Sequence, residues 1–170
     1  MKAELYRIGG PWPGQLAILP RPRGGEWLEE EIRSWQRTGL DLIVSLLTSD
    51  EMAELDLVEE PGLCQNYGLQ FLSFPIVDRS VPSSQPPTLD FMKRLETELT
   101  NGKSLGIHCR QAVGRSGMIA ACLLAWSGVD AKTALQRVSA ARGCPVPETS
   151  EQRQWVIEFA RKLVTLMPQR

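Results

Sequence analysis

The feature that most constrains this chain is the succession of a short apolar run, Ser104 to His108, a compact polar loop, and Ser116 to Ser127, twelve residues without a charge. The first reads as a buried strand and the second as a helix that is apolar all round, which must be covered on every side. The uncharged stretch Met118 to Trp126 has nine residues, too few to cross a bilayer. A soluble core must therefore supply the cover, which requires a sheet on one side of that helix and further helices on the other.

The rest of the chain supplies those elements. Leu5 to Ile8 and Gln15 to Leu19 read as short strands joined by the turn-rich Gly9-Gly10-Pro11-Trp12-Pro13-Gly14. Trp27 to Arg37 places Trp27, Leu28, Ile32 and Trp35 on one helical face, and Gly39 suits the stop. Leu40 to Leu47 reads as a buried strand. Thr48 and Glu51 form a T-x-x-E capping box that starts a helix, which Pro61-Gly62 interrupts. Leu69 to Ile76 is a further strand that leads into a Pro- and Ser-rich loop, Val77 to Pro87. Thr88 caps the next helix, which carries Leu89, Met92, Leu95 and Leu99 on one face and ends at Asn101-Gly102. Two more helices are predicted near Asp130 to Arg142 and Ser150 to Met167. In the latter, Trp155, Phe159 and Leu163 form a core stripe. Strands alternating with helices imply an α/β sandwich with a central, mostly parallel sheet, read as a single domain over 1–170.

Charge and cysteine content narrow the function. The formal net charge is −1, so no global field favours nucleic acid or an anionic membrane. Lys103 to Arg142 carries six basic residues against one acid, Asp130, a stretch that is either solvated or faces an anionic ligand. Asp50 to Glu60 holds six acids and no base and reads as solvated surface. Four cysteines without a CxxC pair, and a single histidine, are too few and wrongly spaced for a Cys/His zinc site. The start of the chain lacks the apolar core of a signal peptide, so a reduced, cytoplasmic protein is expected.

The chemistry concentrates in His108-Cys109-Arg110-Gln111-Ala112-Val113-Gly114-Arg115-Ser116-Gly117, where a strand ends and a helix begins. Backbone N–H groups converge on an anion in such a turn, and the helix dipole adds partial positive charge. Cys109 opens the loop and Arg115 closes it, so a guanidinium can grip two phosphate oxygens while a thiol lies below phosphorus. The same groups favour thiolate over thiol. Ser116 is placed to donate to the sulfur. With 4 Cys and 14 Arg, a bare Cys-x5-Arg arises by chance about 0.3 times. Requiring the sole His before it and one of 12 Ser after it lowers that to roughly 1 in 10,000.

This segment resembles the His-Cys-x5-Arg-Ser/Thr signature of the cysteine-based protein tyrosine and dual-specificity phosphatases. Phe74-Pro75-Ile76-Val77-Asp78-Arg79-Ser80-Val81-Pro82 resembles the family's general-acid loop, and the segment from Pro145 to Trp155 resembles its late glutamine-bearing stretch. The arrangement is most similar to the cyclin-dependent-kinase-associated type. The resemblance implies the family's α/β sandwich and a double displacement without metal or other cofactor. Cys109 would attack phosphorus, Asp78 would protonate the leaving oxygen, and water positioned by Gln152 would release phosphate. His108 would order the backbone of the cysteine. Arg110, Gln111, Ala112, Val113, Gly114 and Arg115 would form the phosphate-binding loop, with Arg110 and Gln111 pointing outward to substrate. Many dual-specificity members carry Gly where this chain has Ala112, and a methyl group there stiffens the loop or alters its dihedrals.

Asp90 is the alternative acid, though its place inside a helix start suits the dipole. Arg21-Pro22-Arg23-Gly24-Gly25 is a stiff basic turn, either at the cleft rim or simply exposed. The expected substrate is a phosphorylated protein or peptide, phosphotyrosine first, with phosphate, sulfate or vanadate binding in the loop. Alternatives are a phospho-binding pseudophosphatase or an enzyme acting on a phosphoinositide or RNA 5′-triphosphate. One cationic residue among the variable loop positions disfavours lipid, and the scarcity of basic residues outside the local stretch disfavours RNA.

Overall fold

The computed structural model describes residues 2–166. Five strands form one sheet: β1 (Tyr6–Ile8), β2 (Gln15–Ile18), β3 (Leu42–Ser45), β4 (Gln70–Ser73) and β5 (Ser104–His108). Their order is β1-β2-β5-β3-β4. The β1–β2 pair is a hairpin and antiparallel, whereas β2–β5, β5–β3 and β3–β4 are parallel. Each parallel step needs a crossover, and the helices supply it: α1 (Leu28–Thr38), α2 (Ser49–Glu54), α3 (Glu60–Asn66) and α4 (Gln85–Thr100). After β5 come α5 (Gly114–Trp126), α6 (Ala131–Arg142) and α7 (Ser150–Leu166).

Alternation along the strands sorts the core into two layers. Ala17, Leu19 and Ile43 face α1 and α3, packing with Leu28, Ile32 and Trp35. Leu16, Ile18, Val44 and Ile107 face the other way, toward α4 to α7. Every residue of α5 is buried, as its uninterrupted apolar sequence demands, because α6 and α7 cover the side turned away from the sheet. Each large aliphatic side chain there contributes about 1.5–3 kcal/mol by leaving water. β5 lies between β2 and β3, so its C-terminal end opens at the middle of the sheet, with α5 starting six residues later. No helix among the described residues is long and apolar enough to cross a membrane.

Several expected boundaries shift, each for a local reason. Pro61 does not break a helix. It occupies the first turn of α3, where its missing N–H costs nothing, and the break lies between α2 and α3. Likewise Gln85, Pro86 and Pro87 begin α4 after Ser84, so Thr88 is not a cap but a buried residue whose hydroxyl donates to Ser84 O at 2.7 Å. Trp27 belongs to a 3-10 turn before α1 and is half exposed, covered on one side by the Arg23 guanidinium. α5 starts at Gly114 rather than Ser116. The stripe on α7 is core: Phe159 and Leu163 are buried and Trp155 stacks on Phe159 with ring centroids 5.3 Å apart. Met167, the expected end of that helix, lies outside the described residues.

Candidate active site

Cys109 follows the last residue of β5 and is buried. It lines a cavity of about 120 Å3 with Asp78, Arg79, Gln111, Gly114, Arg115 and Glu148. Three distant segments thus meet over one sulfur: the loop after β4, the β5–α5 turn and the stretch before α7. Gly114 lets the last of these close in. A Cβ at that position would lie 3.0 Å from both Gln152 Oε1 and Glu148 Oε2. Of the expected phosphate-loop residues, Gln111, Gly114 and Arg115 line the cavity, and Arg110, Ala112 and Val113 do not.

Arg115 is the best-anchored side chain in the site. It is only 1% exposed, and both terminal nitrogens of its guanidinium are engaged. Nη1 and Nη2 donate to Glu51 Oε1 and Oε2 at 2.7 and 2.8 Å, a bidentate pair. Nη1 also donates to Ile76 O at 2.8 Å, and Nη2 lies 3.0 Å from Asp78 Oδ1. Burial works against the positive charge, but the Glu51 hydrogen bond, the cysteine sulfur and Asp78 outweigh it and raise its pKa. Glu51 responds in the opposite sense. Burial pushes its pKa up, yet hydrogen bonds from Arg115 and Thr48 prevail and lower it.

The acidic stretch is therefore not simply solvated surface. Glu51 and Glu60 are buried, and each pairs with a residue of the signature. Glu51 does fill the expected capping box, accepting from Thr48 N at 3.1 Å. That local role concealed its second one, because nothing in the spacing between residues 51 and 115 signals contact. Glu60 Oε1 lies 2.6 Å from His108 Nε2, with both side chains fully buried. Trp35 stacks on the imidazole, centroids 6.0 Å apart. The basic stretch also disperses. Arg115 lines the cavity, Arg110 turns to Glu54 at 3.3 Å instead of pointing freely outward, and Lys132 is exposed on α6, beside the groove that α6 forms with α7.

Asp78 is half exposed at the cavity mouth and reaches Arg115, whereas Asp90 is exposed on α4 and does not line the cavity. The loop carrying Asp78 is tied down twice: Arg79 pairs with Glu148, and Gln152 Nε2 donates to Ser80 O at 3.0 Å. Gln152 is fully buried, and its Oε1 accepts from Thr149 N at 3.2 Å. The expected hydrogen bond from Ser116 to the sulfur is not formed. Because α5 starts two residues earlier, Ser116 is already inside its first turn, buried with its Oγ unpartnered. The basic turn at Arg21 to Gly25 does not line the cavity, and Arg23 pairs with Glu31 at 2.6 Å. Cys64 is pushed up to about 12 by burial and by Glu60, and burial also raises Cys122, so both stay protonated thiols at neutral pH.

Ala112 is the third residue after Cys109 and has φ of 60°, the left-handed region. An L-residue there costs about 1–3 kcal/mol, which glycine would avoid.

A mostly parallel α/β sandwich with a Cys-x5-Arg turn at the end of its central strand defines the cysteine-based dual-specificity and tyrosine phosphatase class. Residues 19–129 match the family described as "Polymorphic toxin system, DSP-PTPase phosphatase", and the chain belongs to that family. Its relatives include cyclin-dependent kinase inhibitor 3 of Rattus norvegicus, 28% identical over 143 residues, which are 83% of this chain and 66% of that protein. The chain thus spans just under two thirds of that relative's length. Among solved structures, kinase associated phosphatase with its catalytic cysteine substituted by serine gives a TM-score of 0.89 at 21% identity, covering 96% of this chain and 97% of the other. Tk-PTP in its active form gives a TM-score of 0.72 at 27% identity, covering 88% and 93%.

Proposed function

We propose that the chain hydrolyses phosphomonoesters through a cysteinyl-phosphate intermediate, with phosphotyrosine of a protein or peptide as the preferred substrate and phosphoserine or phosphothreonine as further ones. The observation that carries this is the meeting of Cys109, Arg115 and Asp78 around a single small cavity. A module that only bound phosphate would need the arginine and the loop, but neither a thiol at the cavity floor nor a carboxyl at its mouth.

A phosphate group entering the cavity competes with Asp78 for Arg115 Nη2, while Glu51 keeps the guanidinium oriented. The Cys109 thiolate attacks phosphorus, and the phosphorus–oxygen bond to the leaving group breaks. Asp78, released from Arg115, supplies the proton to the departing oxygen and then accepts one from the attacking water as the thiophosphate ester is cleaved. Gln152 does not line the cavity, but its Oε1 would lie 3.0 Å from a Cβ at Gly114, and it is the residue the reading gives to the water. Its amide nitrogen also secures the acid loop at Ser80. The buried Glu60–His108 pair fixes the end of β5 and hence the position of the sulfur.

The test is turnover of phosphotyrosine, phosphothreonine, phosphoinositide and triphosphorylated RNA in the presence of a chelator, wild type against Cys109→Ser. The expected result is hydrolysis of phosphotyrosine that the substitution abolishes, with phosphate binding retained. Substantial turnover by the serine variant would exclude Cys109 as nucleophile. Binding without turnover in the wild type would make the protein a pseudophosphatase.

A further inference from the structure

Ala112 sits at the outer wall of the phosphate loop, buried and in a backbone conformation that disfavours it. Something must hold it there. Arg142, the last residue of α6, donates from Nε to Ala112 O at 2.6 Å, thirty residues away in sequence. The same guanidinium lies 4.0 Å above the ring of Tyr6 on β1, so it is braced on a second element. Packing of α6 against both α5 and β1 sets that reach.

We infer that Arg142 is a positioning residue for anion binding: it clamps the Ala112 carbonyl outward and so holds the phosphate loop in its anion-binding form. The proposal rests on the phosphatase function above and adds a residue that touches neither substrate nor sulfur. A trans peptide carries its C=O and N–H on opposite sides. Fixing Ala112 O on Arg142 therefore holds the N–H of Val113 on the side away from Arg142, and with it the path of the loop between Gln111 and Gly114, which do line the cavity. If that peptide plane turned over, ψ of Ala112 and φ of Val113 would change and the path of the loop with them, at a positive φ where alanine has little freedom to follow. Glycine at this position would take the positive φ without steric cost but would leave the plane free to turn. The chain has alanine, and with it an arginine clamp.

The test is a double-mutant cycle of Arg142→Ala and Ala112→Gly, read by the dissociation constant for orthovanadate in calorimetry, with the thermal midpoint measured alongside. Arg142→Ala should weaken vanadate binding by about tenfold or more, the scale of one hydrogen bond from a charged donor. In the Ala112→Gly background the same substitution should cost more, because glycine leaves the plane free to turn once the clamp is gone. Arg142→Lys, which can still donate to the carbonyl, should recover part of the affinity. If Arg142→Ala does not fold, Tyr6→Leu removes the brace and should weaken vanadate in the same direction, again more so in the Ala112→Gly background. Unchanged vanadate affinity in Arg142→Ala, or an equal loss in both backgrounds, overturns the clamp. A wild type that binds no vanadate overturns the phosphatase function itself, and the clamp with it.

Discussion

Arg115 is held by two carboxylates that the chain delivers from different places, and they have different duties. Glu51 grips it from the buried side with two hydrogen bonds, and Asp78 touches it from the solvent side with one oxygen. Removing the buried partner leaves a charge with incomplete compensation, which costs about 3–5 kcal/mol in comparable pairs. Glu51→Gln should therefore lower stability to chemical denaturant at pH 7 by up to that amount. The sign with pH follows from the lowered pKa of Glu51. Its stabilisation is complete above the ordinary glutamate value of about 4.3 and is lost as pH falls through its lower folded value. The difference between wild type and Glu51→Gln should accordingly be largest near neutrality and shrink below about pH 4. A gap that stays constant from pH 7 to pH 3 would mean that the carboxylate charge is not what matters.

At the scale of elements, the Asp78 loop after β4 depends on its neighbours for its position. It contains no regular structure until α4, and it is secured by the Arg79–Glu148 pair and by Gln152. Loops fixed at few points move, and an acid that must reach a leaving group benefits from such a hinge. If Asp78 is the acid, kcat/KM for an aryl phosphate should be bell-shaped with pH, the falling limb reporting loss of its proton. Asp78→Asn should flatten that limb and slow a poor leaving group by about 10²–10⁴-fold, with a smaller loss for a leaving group of low pKa. Asp90→Asn, on the exposed face of α4, should leave the profile intact. An unchanged falling limb in Asp78→Asn would move the acid elsewhere.

Across the whole molecule, the central strand carries the site and is packed on both faces. Gly106 in β5 faces Leu19, and a Cβ built there would lie 2.6 Å from Leu19 Cδ1 and 2.9 Å from its Cγ. Because the clash reaches the branch point of a fully buried leucine, rotation of a terminal methyl cannot relieve it. Gly106→Ala should destabilise the fold by about 1–3 kcal/mol, measured as a lower denaturation midpoint at unchanged slope. No loss of stability would show that the layer of α1 and α3 yields more readily than close packing implies.

Features encoded over a few consecutive residues were legible in the amino-acid sequence. The strand, the Cys-x5-Arg turn and the all-apolar helix follow one another within Ser104 to Ser127, so their order alone specified a buried helix behind the signature turn. The alternation of the other elements specified a mostly parallel sheet, because short parallel connections require helices. What depended on the third dimension was which distant groups answer the signature. Glu51, Glu60 and Arg142 lie 64, 48 and 30 residues from the partners they contact. In sequence the first two belong to an acidic run that reads as surface, and the third ends an ordinary helix. Only the packing of α2, α3 and α6 around the end of β5 brings them within hydrogen-bond reach, where burial strengthens the Glu51 and Glu60 contacts.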